Sequence, residues 1–104
     1  MLGVLLLQVS LLVKILLWVL EGHTDAVKLS GNSFPRNNWE LSVLRATAVT
    51  EIILANCAMS PKQIMAAGRG EFHPVDVNDN AKNRRIEIII SPNLDALFEI
   101  ISQD

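Results

Sequence analysis

Two places in this sequence carry residue types that could do chemistry. The first is Arg45, within a segment from Trp39 to about Asn56 whose apolar residues Leu41, Leu44, Ala48, Ile52 and Ala55 recur at helical spacing. At about 100° per residue, Arg45 projects roughly 40° from Leu41 and roughly 20° from Ile52, inside that apolar stripe. A guanidinium stays charged in a protein and is costly to bury alone. It calls for a carboxylate, backbone carbonyls or an anionic ligand, unless it snorkels as a structural ion pair at the stripe's edge. The second place is Gly22-His23-Thr24-Asp25, directly after an apolar run. Open α/β sheets gather ligands at the carboxyl ends of their strands, so Asp25 stands where a binding loop would be. An ordinary solvated turn is the plain alternative.

Other chemistries fit less well. His23 and Asp25 make poor metal ligands without a third, and His73 is the other histidine, so no metal and no cofactor are expected. No serine sits in a nucleophile elbow, and Gly68-Arg69-Gly70 is too short for a phosphate loop. Cys57 has no second cysteine to pair with in the chain and, near a helix end, reads as a small buried hydrophobe. The chain has 104 residues, half of them apolar, and a net charge of −2. That is one domain with enough apolar material for a core, and it gives nucleic acid no electrostatic footing. The basic cluster Lys82, Arg84 and Arg85 is balanced by Glu87, Asp76 and Asp79, and reads as a solvated strand end.

The elements that must position these residues follow from pattern. Residues 22–38 are rich in Gly, Ser, Asn, Asp and Pro and form a long surface loop. Asn38 suits a helix N-cap, with Glu40 in the first turn, and Ser60-Pro61 stops the helix that follows. Gln63–Ala67 reads as a short strand, and Glu71–Asn83 as a second polar loop. Arg84–Ser91 is a strand with Ile86, Ile88 and Ile90 on one face and Arg85, Glu87 and a partly covered Ile89 on the other. Asn93 then opens a short helix with Leu94, Leu97, Phe98 and Ile101 as its apolar side. The pattern is α/β, with helices packed on a small sheet.

Met1–Leu20 departs from the apolar set at Gly3, Gln8, Ser10 and Lys14. It is long enough to cross a bilayer, resembles a signal sequence without a basic start or cleavage site, and could equally divide into a buried helix and a strand. Continuous apolar runs lose the periodicity that would separate these readings.

Three segments in order resemble the signature of the OmpA-like C-terminal domain: EGHTD at Glu21–Asp25, NWELSVLRA at Asn38–Ala46 and NRRIEI at Asn83–Ile88. Ala67–Glu71 and Pro74 stand between them as a strand end and loop of the same kind. The approach Phe34–Ser42, Trp39 above all, is similar to the MotB-like subgroup. The resemblance covers roughly residues 15–92. It implies a βαβαβ-type, two-layer α+β fold and a non-enzymatic, periplasmic cell-envelope module that binds peptidoglycan. The family's diaminopimelate-binding aspartate falls on Asp25 and its binding arginine on Arg45. Thr24, Asn38, Leu41 and the basic pair Arg84 and Arg85 fall on other signature positions. Asp25 and Arg45 would then form a dipolar clamp for an ammonium and a carboxylate.

Two departures qualify the carry-over. Asp79 and Asn80 stand where the family has a Gly-Arg pair, and residues 1–14 replace its first strand and much of its first helix. The expected division is an apolar segment at 1–14, helical, and a domain at 15–104, with residues 15–21 as a strand beside 84–91. The resemblance leaves open membrane association through residues 1–20, pairing with a second copy, and a flagellar stator role. A stator needs a membrane helix with a proton-carrying acid, and Met1–Leu20 contains no acid. A wall hydrolase would need paired carboxylates or zinc.

Overall fold

The computed structural model describes residues 15–102. Strand β1, Leu16–His23, is followed by helix α1, Asn38–Asn56. A 3-10 turn at Pro61–Gln63 leads into β2, Ile64–Gly68. The one-turn helix α2, Asn80–Asn83, precedes β3, Arg85–Pro92, and helix α3, Leu94–Ile101, comes last. The sheet order is β2-β1-β3, with β1 parallel to β2 and antiparallel to β3. This is a small mixed sheet with helices, the α+β arrangement expected, and its three strands begin and end within two residues of the expected limits.

The apolar run at the N-terminus divides as the strand reading requires. Leu16–Leu20 lies in β1, which excludes a helix running through residue 20. No helix among the described residues is long and apolar enough to cross a membrane. The readings of residues 1–14 as helix, signal or span lie outside the described residues, as does any strand preceding β1.

Helix α1 corrects the periodicity argument. Its buried positions are Asn38, Ser42 and Ala46, while Leu44 and Ile52 are 40% and 61% exposed. Arg45 is exposed as well, so it does not sit in a buried stripe. The cause is a pair of glycines. Gly22 and Gly68 are register partners at the ends of β1 and β2, and a Cβ on Gly22 would collide with the Ser42 carbonyl. One on Gly68 would meet Ser42 Oγ and Val43 Cγ2. The backbones approach so closely that only a face of small residues fits between them. The larger aliphatics are left to flank it.

Further expectations are revised. The N-cap of α1 is Asn37, whose side chain accepts from the Glu40 N–H at 2.9 Å, and Asn38 is turned inward. Cys57, the C-cap residue of α1, is exposed and not a buried hydrophobe. On β3, the alternation does not translate into one covered face: Ile88, Ile89 and Ile90 are 50%, 43% and 48% exposed. Among the described residues β3 is an outer strand, and α1 packs over β1 and β2 instead. The apolar side of α3 is likewise open, with Leu94, Phe98 and Ile101 all exposed. Leu20 and Ala46 are the apolar side chains fully buried among the described residues.

Candidate functional site

The carboxyl end of β1 is where polar residues are buried. His23, Thr24 and Asp25 follow one another there, each less than a tenth exposed. Their backbone is fixed by continuation of the parallel ladder, with Arg69 N donating to Gly22 O and Thr24 N to Gly70 O, both at 2.9 Å. Gly70 can take part because it adopts φ +65°, the left-handed region that glycine enters without strain. Ser42 then ties helix to turn: its Oγ accepts from Gly70 N at 3.0 Å and donates to Trp39 O at 2.8 Å.

Asp25 is held from several sides. Its Oδ1 accepts from Val27 N at 3.0 Å, and its Oδ2 accepts from Arg84 NH1 at 2.7 Å. Thr24 Oγ1 donates to the Asp25 carbonyl at 2.9 Å, and Asn38 Nδ2 donates to the carbonyls of Asp25 and Val27, each at 3.2 Å. The Arg84 hydrogen bond is the main cause that keeps the Asp25 carboxyl below the usual aspartate range. Burial pushes the other way, while the Val27 N–H and the charges of Arg84 and Arg45 add to the lowering. Asp25 is therefore an anion at neutral pH.

A groove of about 370 Å³ is lined by Arg45, Ala48, Val49, Arg84, Arg85 and Ile86. Arg84 joins the two features, since it lines the groove and holds Asp25. The direct ionic partner of Asp25 is thus Arg84, not Arg45, which acts on it only through its charge.

The other sequence-derived candidates separate into groups. Thr24 and Asn38 are buried and fix the Asp25 loop through its backbone, which makes them positioning residues. Leu41 is half-buried and does not line the groove. Arg85 lines it, but its guanidinium is committed to Glu87, Asn83 O and His73 O. That contact is the main cause holding the Glu87 carboxyl below its ordinary range. The Asp79-Asn80 departure has a structural role: Asp79 caps α2 through Ala81 N and Lys82 N. Asn83 closes the same loop by accepting from Val75 N and Asp76 N and donating to Asp76 O.

Comparison with known proteins agrees with this architecture. Motility protein B of Bacillus subtilis is 37% identical over 78 residues, covering 71% of this chain and 30% of that protein. The uncharacterised protein YtxE of the same organism is 38% identical over 74 residues, 67% of this chain and 30% of its own length. This chain thus spans under a third of the curated relatives it matches. Among solved structures, the periplasmic domain of Helicobacter pylori MotB superposes with a TM-score of 0.71 at 28% identity, over 86% of this chain and 56% of that one. A MotB-like protein from Desulfovibrio vulgaris gives 0.65 at 32% identity, over 74% and 51%. Residues 5–87, a stretch that takes in the GHTD turn, Arg45 and Arg84, match the OmpA family, and the chain belongs to that family.

Proposed function

We propose that this domain binds peptidoglycan without cleaving it, and anchors a cell-envelope protein to the wall from the periplasmic side. The observation that carries the reading is the ionised Asp25 bonded to Arg84, which lines a groove together with Arg45. A ligand with adjacent ammonium and carboxylate groups complements that set: the ammonium meets Asp25, and the carboxylate meets the two guanidiniums. The side-chain end of diaminopimelate in a wall stem peptide is such a head group. An aspartate held ionised is in the wrong form for a general acid, so the site is read as a binding site.

Similarity to Motility protein B favours a second reading, the wall anchor of a flagellar stator. Within residues 1–20, membrane attachment would fall to 1–14, since Leu16–Leu20 is committed to β1. Pairing with a second copy would use the open β3 edge.

Pull-down on purified sacculi tests the anchor, with Asp25→Ala and Arg45→Ala beside the parent. Both variants are expected to fold and to lose retention. Calorimetry tests the ligand. Lysine in place of diaminopimelate keeps the ammonium but lacks the carboxylate, which should weaken binding by roughly 30-fold or more. Amidating that carboxylate should weaken it in the same direction. Equal affinity for the lysine and diaminopimelate peptides would show the head-group assignment to be wrong.

A further inference from the structure

A second cluster of charged groups lies on the same strand, two residues before the aspartate, and takes no part in the proposed wall contact. In the β1–β3 register Glu21 stands directly opposite Glu87, and His23 projects from the same face of β1 as Glu21. Like charges directly opposite one another destabilise a strand pair unless a cation lies between them. Each carboxylate is divided between two neighbours. Glu21 Oε2 faces Arg69 Nε at 3.8 Å, and Glu87 Oε1 accepts from Arg85 Nε at 3.1 Å. The remaining oxygens, Glu21 Oε1 and Glu87 Oε2, both turn to His23 Nε2, at 3.4 and 3.3 Å.

His23 is 2% exposed, and neither of its ring nitrogens makes a hydrogen bond. A buried imidazole without hydrogen bonds is costly, so its surroundings call for an explanation. The spacing supplies one. Ligand atoms at about 2.0–2.1 Å from a tetrahedral ion stand about 3.3–3.4 Å from each other. The two nitrogen–oxygen distances match that edge, and they are long for charge-assisted hydrogen bonds. The three ligand atoms all lie within 4.8 Å of one another, and rotation of the part-exposed Glu87 side chain can close the longer side.

We propose that Glu21, His23 and Glu87 form a binding site for a divalent transition-metal ion, zinc being the best fit to one imidazole and two carboxylates. Arg69 and Arg85 orient the carboxylates from outside, as outer-shell groups do around metal ligands. The ligands come from two neighbouring strands, so the ion acts as a staple across the β1–β3 ladder. A fourth position is left for water.

The test uses the whole 104-residue chain in a Cys57→Ser background, so that the exposed thiol cannot bind metal. Zinc chloride alone should titrate at one equivalent and raise Tm by roughly 5–10 °C at saturation. Cobalt in its place should give the intense visible bands of a tetrahedral ion. Glu87→Gln, on a part-exposed side chain of the edge strand, should fold as the parent does and lose most of the Tm shift and the cobalt bands. His23→Gln should abolish both. Zinc that raises the Tm of Glu87→Gln as far as that of the parent, or a folded parent that takes up no zinc, overturns the proposal. Retention on sacculi in the absence of zinc is measured alongside, so failure of the metal site and failure of the wall contact read out separately.

Discussion

At the end of the sheet where β1 finishes, His23, Thr24 and Asp25 are buried with Asn38, Ser42 and Asn83. At the end where β3 finishes, Ile88, Ile89 and Ile90 are between 43% and 50% exposed, beside an exposed Leu94 and Phe98. Among the described residues the polar end is thus the close-packed one, and the apolar end is the exposed one. What separates them is the position of α1. Gly22 and Gly68 let the helix press onto one end of the sheet, and backbone and side-chain hydrogen bonds replace apolar burial as the means of fixing it. Hydrophobicity alone would have placed the core at the other end.

This contrast can be broken most sharply at Gly22. Gly22→Ala sets a methyl against the Ser42 carbonyl with no flexible atom to yield, and should cost on the order of 3 kcal/mol or more in denaturant unfolding. Retention of parent stability would mean that helix and strand are not in fixed contact. Ser42→Ala comes next. It removes the acceptor of the buried Gly70 N–H, for an expected loss of about 1–3 kcal/mol and faster amide exchange at Gly70.

Asp25→Asn should cost about 1 kcal/mol at neutral pH, since its partner Arg84 is 47% exposed and the pair is screened. The sign of its pH dependence is fixed. The folded pKa lies below the ordinary 3.8, so the contribution is complete above that value and drains as pH falls through it towards the folded value. Acid unfolding of Asp25→Asn should therefore be shallower than that of the parent over that range. The smallest effect is expected from the largest side chain changed. Phe98→Ser, at a position 60% exposed, should shift stability by about 0.5 kcal/mol or less. A loss above that of Ser42→Ala would reverse the ranking of the two ends.

Much of this was legible in the sequence. The Gly22-His23-Thr24-Asp25 segment after an apolar run locates Asp25 at a strand end, and alternation locates β3 at 85–92 against an expected 84–91. Arg45 lines the groove with Arg84, where the family resemblance puts it, but the periodicity argument for it does not hold. Periodicity set it in a buried stripe, but the face a helix buries depends on what it meets, and here two glycines on separate strands select Ser42 and Ala46. Arg84 was seen as part of a basic cluster and not as the partner of Asp25. The two are 59 residues apart, and only the strand register brings them together. Glu87 is hidden for the same reason, because only the β1–β3 register brings it to His23, whereas Glu21 is a same-face neighbour two residues away.

The central place of β1 has a mechanical consequence. Asp25 follows directly on a strand paired along both sides, by β2 in parallel and β3 antiparallel. Tension applied to that aspartate along the strand axis runs nearly perpendicular to the inter-strand hydrogen bonds. The bonds are then loaded in shear, many at once, and do not peel open one after another. The same loop hung from the edge strand β3 would have had one ladder to resist the pull. Under the proposed wall contact, a load on Asp25 would thus be shared by both ladders of the central strand.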